Sequence, residues 1–378
     1  MLEELTEKEK IAIANRYKPL LVLYPEIESN SERKDHYHSG HRAGRPPIDQ
    51  DYHPRDIEIV LDNVSLPGIK MKFRRVFRKR VFRKMSRSDI LDAMSNNVVD
   101  HIDLVPNAPP SNVDKFWKVY ASIQNKDLRY PRKAYARIVS GSRRYAEHLV
   151  VQYWLAYFFD DWANVHEMDW EMISVVIKKT TQEERPIACA YRAHMGAFRA
   201  PWEDIEKANE DGERTEAGTH PIVYVANGSH ACYFCDDPVH SASAALVGHE
   251  LSKWLNRVLG TRRTFSDYVV SLNEGFKHFP EIALMPEPNL EGRWESEWRW
   301  LNFKGKWGSK GEMRWITWWK ALLVVLRLLG VLRSEPTALP IVEGGPVGPS
   351  RQGLCWGDPF AWIEEECFKV EKSWILSR

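Results

Sequence analysis

A group of acidic and histidine side chains lies within one short stretch of this 378-residue chain, between Asp160 and Glu171. Asp169 and Glu171 stand two residues apart at the start of a predicted strand, so both carboxylates point to one face. His166 precedes them in a predicted turn, and Asp160 or Asp161 ends the strand before it. Carboxylates and an imidazole that converge in this way can bind a divalent cation, with Ca²⁺, Mg²⁺ or Mn²⁺ favoured over Zn²⁺.

A second interpretation of the same stretch needs no cation. Trp170 packs inward, and the acidic side chains are solvated or form salt bridges. Without a counter-charge, carboxylates this close repel one another, which raises a pKa or weakens the hairpin. The spacing alone supports both interpretations equally.

Two further histidines follow predicted strands: His194 ends the segment 186–194, and His230 follows the segment 221–226. Each can be a metal ligand, a general base, a phosphate contact or a hydrogen-bonded structural histidine. The CxxC formed by Cys232 and Cys235 has no second pair to complete a zinc site and is interpreted as incidental. No HExxH and no GxSxG occurs, so the sequence lacks the zincin and α/β-hydrolase signatures.

Apolar runs rich in aromatic and β-branched residues predict the strands that hold these side chains. The predicted strands are 19–24, 57–61, 148–159, 171–177, 186–194 and 221–226. Polar loops between them favour a mainly β fold: an antiparallel β-sandwich core with added helices, hence α+β overall. We expect a sandwich domain over 1–310, an apolar helical insertion over 311–340, and a C-terminal segment over 341–378 packed on the core.

A basic stretch bears on the possible partners. Lys and Arg residues between 70 and 87 are interleaved with Phe73, Phe77 and Phe82. This spacing predicts a basic amphipathic helix inside an insertion at about 70–100. Because the net charge of the chain is only +1, an anionic lipid surface or a solvated face is favoured, and nucleic acid is not expected.

A second helical segment, 315–332, is apolar and opens with three tryptophans. Lys320 and Arg327 lie inside it, and each costs about 2.5–3.5 kcal/mol near a bilayer centre, which argues against a membrane span. A buried helix or an oligomer contact is favoured, and a helix lying in a membrane interface stays open. A further helix is predicted at about 241–259.

Two features of the sequence bear on the cellular compartment. The acidic start of the chain has no signal-peptide pattern, and the five cysteines are sparse. We therefore expect a cytoplasmic protein, with peripheral attachment to a membrane as an option.

The histidine-rich stretch 25–56 is interpreted as a solvated loop. The hydrophobic content of 43% excludes a wholly disordered chain.

Three segments together resemble the vacuolar-protein-sorting sixty-two-like family. They are Gln152-Tyr-Trp-Leu-Ala-Tyr157, His166-Glu-Met-Asp-Trp-Glu171, and Pro221–Ala231 followed by Tyr233-Phe234. The stretch 51–55 and the closing segments 345–349 and 356–359 are similar to bacterial members. The resemblance covers most of 15–235 and returns near 294–362.

The His166–Glu171 core also resembles, more distantly, the heptapeptide GHRHDWE of the necrosis- and ethylene-inducing-like cytolysins. Those proteins are β-sandwiches that bind a divalent cation, so the resemblance implies His166, Asp169 and Glu171 as ligands. It implies Asp160 or Asp161 as the upstream ligand. Met168 stands where the vacuolar-sorting pattern has Gly, and Cys232 where it has Ser.

These observations give three functional hypotheses. The first is a divalent-cation-dependent β-sandwich that engages anionic lipid headgroups or glycolipid at a membrane surface. The second is a metal-dependent enzyme acting on a small molecule, a hydrolase before a lyase or cyclase, with His194 or His230 as general base. The third is a structural protein in which the cation only fastens the fold. Oligomeric state does not follow from the sequence.

Overall fold

The structure is a computed structural model that describes residues 5–26, 52–63, 86–105, 108, 112–123, 125–161, 166–193, 196–236, 268–308 and 345–370. The predicted basic helix within 70–87 falls outside these ranges except for its last two residues, and the predicted helices at 241–259 and 315–332 fall outside them entirely. So do the insertion 311–340 and most of 25–51. These assignments, and the domain division that depends on them, stay predictions.

The described residues form both helices and strands. The helices are α1 (Glu7–Arg16), α2 (Glu58–Asn63), α3 (Arg87–Ser95), α4 (Val113–Ala121), α5 (Lys126–Arg129), α6 (Leu354–Gly357) and α7 (Pro359–Glu365). The strands are β1 (Leu20–Leu23), β2 (His101–Ile102), β3 (Lys133–Ser140), β4 (His148–Asp160), β5 (His166–Lys179), β6 (Glu184–Ala193), β7 (Gly196–Pro201), β8 (Lys207–Ala208), β9 (His220–Val225), β10 (Cys232–Tyr233), β11 (Phe276–His278), β12 (Glu281–Leu284), β13 (Lys306–Trp307) and β14 (Phe368–Lys369).

The larger sheet has seven strands in the order β12-β3-β4-β5-β6-β7-β14. Its five central strands form an antiparallel meander, because each follows the last through a short connection. The two edge strands come from distant parts of the chain and pair in parallel, β12 with β3 and β14 with β7. The prediction of a purely antiparallel sheet is therefore wrong at both edges.

The smaller sheet has the order β10-β9-β1-β11, with β8 also paired to β9. Its β1 lies parallel to β9 and antiparallel to β11. A separate parallel pair joins β13 to β2. The chain is thus mainly β with added helices, and its sheets are mixed.

The two faces of β4 belong to two different hydrophobic clusters, as the two-residue period of a strand requires. Leu149, Val151 and Tyr153 pack with β1 and β9 of the smaller sheet. Val150 and Trp154 pack instead with the helices on the opposite face. The seven-stranded sheet is therefore covered on both sides, which explains why β4 is buried along almost its whole length.

One local prediction of a strand is wrong. Residues 57–61, predicted as a strand, lie in the turn and helix at the start of α2. Asp56 accepts a hydrogen bond from the backbone N–H of Glu58 at 3.1 Å, which satisfies one of the donors at this helix start and outweighs the strand preference of Ile and Val. The N-cap of α3 is Ser86, which forms a capping box with Asp89.

The end of the histidine-rich stretch is buried, not solvated. His53 and Arg55 are almost completely enclosed, and Glu26 forms ion pairs with Arg55 and Arg132. The Nε2–H of His53 donates to the carbonyl of Tyr24 at 2.8 Å, while its Nδ1 accepts from Arg132 Nε at 2.9 Å. Charges this deep are tolerated because each one has a partner.

The Gly-rich segment at 345–348 packs against the backbone at the end of β13. A Cβ on Gly345 would lie 1.9 Å from the carbonyl oxygen of Trp307 and 2.7 Å from Cα of Gly308. The Trp307 N–H donates to the carbonyl of Pro346 at 2.8 Å. Glycine at 345 thus permits a close backbone approach.

Candidate functional site

The acidic and histidine side chains gather at one end of the β4–β5 hairpin. Asp160 and His166 are direct partners across the two strands. Asp169 and Glu171 follow on alternate positions of β5, the strand geometry that turns two side chains to one face. His166 is the first residue of β5 rather than part of a turn, so the prediction of a turn at this residue is wrong. The strand extends to this point because Glu167, Asp169 and Glu171 all continue its pairing with β4.

All the predicted cation ligands are buried. Asp161 is fully enclosed, and Asp160, His166, Asp169 and Glu171 are each less than a tenth exposed. Burial raises the cost of a charged side chain unless a partner compensates it. The arrangement of partners therefore decides what the cluster can do.

His166 and Asp160 form the first imidazole–carboxylate pair. Nε2 of His166 lies 3.1 Å from Oδ2 of Asp160, and Nδ1–H donates to the carbonyl of Met168 at 2.6 Å. Burial alone would lower the pKa of His166, but the Asp160 carboxylate and its hydrogen bond outweigh that effect and raise the pKa to about 9. Burial raises the pKa of Asp160, and the charge of His166 opposes that rise.

Asp169 and His230 form the second pair. Oδ1 of Asp169 accepts the backbone N–H of Trp170 at 2.8 Å, and Oδ2 lies 3.1 Å from Nδ1 of His230. Burial would raise the pKa of Asp169, yet the hydrogen bond from His230 and the nearby charge of His166 lower it below its usual value. Asp169 is therefore held as a carboxylate.

His230 reaches this cluster from the other sheet. It lies in the turn between β9 and β10, where its N–H donates to the carbonyl of Ala226 at 3.1 Å. Its φ of 57° is in the left-handed region. The imidazole stacks on Tyr157 with ring centroids 3.8 Å apart, and its buried Nε2 has no hydrogen-bond partner among the residues that the structure describes.

Met168 occupies the position where the vacuolar-sorting pattern has glycine. Its φ is 57° and its side chain is fully buried. An L-residue pays about 1–2 kcal/mol in this region, whereas glycine does not. The backbone at this point thus has the shape that glycine favours, although the chain carries a large side chain there.

The remaining predicted site residue is His194, and the CxxC cysteine Cys232 lies close in sequence to His230 of the cluster. His194 lies outside the described residues, so its role as a general base stays a prediction. Cys232 is buried, and burial raises the pKa of its thiol well above the ordinary value. The interpretation of the CxxC as incidental stays a prediction.

Sequence reasoning missed two residues beside the cluster. Glu167 is fully buried, and its Oε2 accepts the N–H of Leu104 at 2.8 Å. Tyr157 stands directly opposite Asp169 on β4 and carries the stacked His230. Once the ends of both strands are known, the register between β4 and β5 places Tyr157 opposite Asp169. Nothing in the sequence indicates the contact with Leu104.

The donor chemistry of the cluster suits a hard or borderline cation. The Nδ1–H of His166 donates to the backbone carbonyl of Met168. Metal-binding histidines typically make such a hydrogen bond with the ring nitrogen that does not bind the metal. Within the described ranges, however, no three or more His, Cys, Asp or Glu side chains are placed to hold one metal ion. The donors are arranged as two imidazole–carboxylate pairs, so a cation must compete with His166 for Asp160.

A cavity of about 430 Å³ lies elsewhere, near α1 and the start of β9. None of the predicted cation ligands lines it. Among the described helices, none is long and apolar enough to cross a membrane; the predicted helix at 315–332 is not one of them.

Comparison with known proteins gives a limited result. No protein-family model matches the chain, and no curated protein matches it. A structure of NLPPya in complex with glucosamine is 18% identical over 27% of this chain and 44% of its own, with a TM-score of 0.20. A structure described as a toxin fold for microbial attack and plant defense is 12% identical over 62% of this chain and 72% of its own, with a TM-score of 0.27.

These neighbours are necrosis- and ethylene-inducing-like toxin structures, whereas the resemblance to a vacuolar-sorting family has no matching model. The chain spans less than half the length of the NLPPya structure. At such low TM-scores the likeness carries no argument about the site. The functional case therefore depends on the residues themselves.

Proposed function

We propose that this chain is a divalent-cation-binding β-sandwich protein whose hairpin end at Asp160–Glu171 engages an anionic lipid headgroup or a glycolipid. The observation that carries the proposal is the Asp160–His166 contact across the hairpin, with Asp169 and Glu171 following on one face of β5. The hydrophobic cluster shared by the two sheets supports the sandwich.

The ligand set of this proposal is Asp160, His166, Asp169 and Glu171, with Asp161 as the alternative upstream ligand. The separation of 3.1 Å between His166 Nε2 and Asp160 Oδ2 is compatible with two neighbouring ligands of one ion, since adjacent octahedral ligands at about 2.1–2.3 Å are about 3.0–3.3 Å apart. In this proposal His230 does not bind the ion but orients Asp169 through a hydrogen bond. Oxygen-rich ligation favours Ca²⁺, Mg²⁺ or Mn²⁺ over Zn²⁺.

The membrane part of the proposal is supported by the sequence: the basic, Phe-bearing stretch at 70–87 and the Trp-rich segment at 315–332. Both patterns are typical of segments that contact anionic or interfacial lipid.

A structural role for the cation is the second candidate, and burial favours it. A ligand set enclosed by protein atoms fastens β4 to β5 but offers no position to a substrate or headgroup. The enzymatic hypothesis requires an open coordination position at the cluster, and none of the cluster residues lines the cavity near α1.

Elemental analysis tests the cation site. The purified protein is incubated with Ca²⁺, Mg²⁺, Mn²⁺ or Zn²⁺ separately and desalted, alongside Asp169→Ala. Asp211→Ala, which removes an exposed acid outside the cluster, is the matched control. We expect about one ion per chain in the wild type and the control, and loss in Asp169→Ala. Absence of all four metals from the wild type overturns the proposal.

Co-sedimentation with phosphatidylserine vesicles then separates the two roles. If the cation presents a headgroup site, chelator and Asp169→Ala each release the protein from the vesicles. If metal binds but sedimentation is the same with and without chelator, the cation is structural and the lipid assignment is wrong.

A further inference from the structure

The cavity near α1 carries a second inference, independent of the cation cluster. It is a half-open space of about 430 Å³ between the end of α1, the turn before β9 and the turn between β11 and β12. His220 starts β9 and the His230 turn follows its end. Since a strand rises about 3.3 Å per residue, the cavity and the cation cluster lie at opposite ends of β9, about 16 Å apart along the strand.

Two opposite charges line this cavity without pairing to each other. Lys18 forms no ion pair with any residue that the structure describes; its ammonium lies 5.3 Å from the centroid of the Phe279 ring. Glu210 also lines the cavity and has no cationic partner within the described ranges. Arg16, by contrast, is already paired with Glu184 at 2.6 Å.

His220 stands in the electrostatic field of both charges. Burial and the charge of Lys18 lower the pKa of the His220 imidazole. Its hydrogen bond to the Lys18 carbonyl and the charge of Glu210 act to raise that pKa, but the net result is a lowered pKa. Nδ1–H donates to the carbonyl of Lys18 at 2.9 Å, so the neutral ring carries its lone pair on Nε2. The Phe279 ring lies 4.6 Å from the imidazole, centroid to centroid.

Unpaired charges of opposite sign that line one cavity are complementary to a ligand that carries both. An anionic group pairs with Lys18, a protonated amine pairs with Glu210, and a hydroxyl or N–H of the ligand can donate to Nε2 of His220. The space suits a molecule of metabolite size. We propose that this cavity binds a small zwitterion that carries a phosphate or carboxylate at one end and an amine at the other.

Titration calorimetry tests the assignment with two probes, phosphoethanolamine and β-alanine. Inorganic phosphate and ethanolamine, which each carry one of the two charges, serve as ligand controls. We expect at least one zwitterion to bind more tightly than both single-charge controls. Phosphate binding as tightly as phosphoethanolamine, or no binding of either zwitterion, overturns the proposal.

Four variants locate the binding. Lys18→Met and Glu210→Gln each remove one charge and should weaken binding of the zwitterion by about tenfold. Lys8→Met removes an exposed lysine of α1 that does not line the cavity and should leave the affinity unchanged. Lys18→Glu combined with Glu210→Lys exchanges the charges and should restore part of the lost affinity. Unaltered affinity in both single variants contradicts the site.

The same chemistry occurs in a free metabolite and in the headgroup of phosphatidylethanolamine. Vesicles of that lipid, compared with vesicles of phosphatidylcholine, distinguish the two sources. Sedimentation that depends on Lys18 assigns the lipid headgroup, and calorimetric binding without sedimentation assigns a soluble zwitterion. Binding in neither experiment overturns the proposal.

Discussion

Nδ1 of His230 lies 3.1 Å from Oδ2 of Asp169, and this contact joins the turn after β9 in one sheet to β5 in the other. Both side chains are buried. Removing one partner leaves the other without compensation, a loss of about 3 kcal/mol for a buried pair.

We therefore predict that His230→Asn lowers the free energy of unfolding by about 3 kcal/mol. Asn tolerates the left-handed backbone at this position, so the change reports on the side chain. Combined with Asp169→Asn in a double-mutant cycle measured by urea denaturation, it should give a coupling energy above about 1 kcal/mol. A coupling energy near zero would show that the pair does not hold the sheets together.

Met168 provides a prediction in which two effects oppose each other. Truncating a buried methionine costs about 2–5 kcal/mol, whereas glycine at a φ of 57° removes a strain of about 1–2 kcal/mol. The packing lost with the side chain outweighs the relief of backbone strain, so both Met168→Ala and Met168→Gly should destabilise the protein.

The order of these two variants is the sharper test. In an ordinary strand, Gly is less stable than Ala by about 0.5–1 kcal/mol. At residue 168 we expect the reverse, with Met168→Gly more stable than Met168→Ala by about 1 kcal/mol in urea denaturation. Ala equal to or better than Gly would mean that residue 168 is not in the left-handed region.

His53 should make stability depend on pH. Burial lowers the pKa of His53 to about 4. The charge of Glu26 acts to raise this pKa, whereas the charges of Arg132 and Arg55 act to lower it. Between the unfolded pKa of about 6.5 and pH 4, the unfolded chain binds a proton that the folded chain does not. The contribution of His53 to the free energy of unfolding is therefore fully present above pH 6.5 and is lost as the pH falls towards 4.

We expect wild type to lose up to about 1.4 kcal/mol per pH unit more than His53→Gln across this interval. Gln can keep a donor and an acceptor for Tyr24 and Arg132, so the comparison isolates the titration. Urea denaturation at intervals from pH 7 to pH 4.5 measures both slopes. Parallel slopes would contradict the assignment of a neutral, buried His53.

Gly345 is predicted to tolerate no side chain. A Cβ there meets the backbone of Trp307 and Gly308, which cannot move away as a flexible side chain could. Gly345→Ala should cost about 3 kcal/mol. Gly357→Ala is the control, because nothing lies within 4 Å of a Cβ at that position, and it should change the free energy of unfolding by less than about 1 kcal/mol. Similar effects of the two substitutions would rule out the close approach.

Long apolar runs made much of the larger sheet predictable. The segments 148–159 and 171–177 are buried strands as expected, because aromatic and β-branched side chains pack on both faces of that sheet. The short strands β11 and β12 were not predicted, because three or four residues of mixed polarity give no periodic signal.

The candidate site was predictable in composition but not in pairing. Asp160, His166, Asp169 and Glu171 are close in sequence, so a hairpin brings them together whatever the rest of the fold does. The contact between Asp169 and His230 depends on how two sheets pack, which no local spacing encodes. Local sequence does not predict the burial of His53, because its partners, Glu26 and Arg132, are remote in sequence.

The position of β1 inside the smaller sheet has a consequence for how the chain folds during synthesis. Leu20 pairs with Ile222 and Leu21 pairs with His278, so both neighbours of this apolar strand are made long after it. At about 5–20 residues per second, the ribosome needs about 10–50 s to proceed from β1 to β11. During that time Leu20–Leu23 lacks one or both of its strand partners, and nascent chains that stop before β11 leave one edge of this hydrophobic strand open to aggregation or to chaperones.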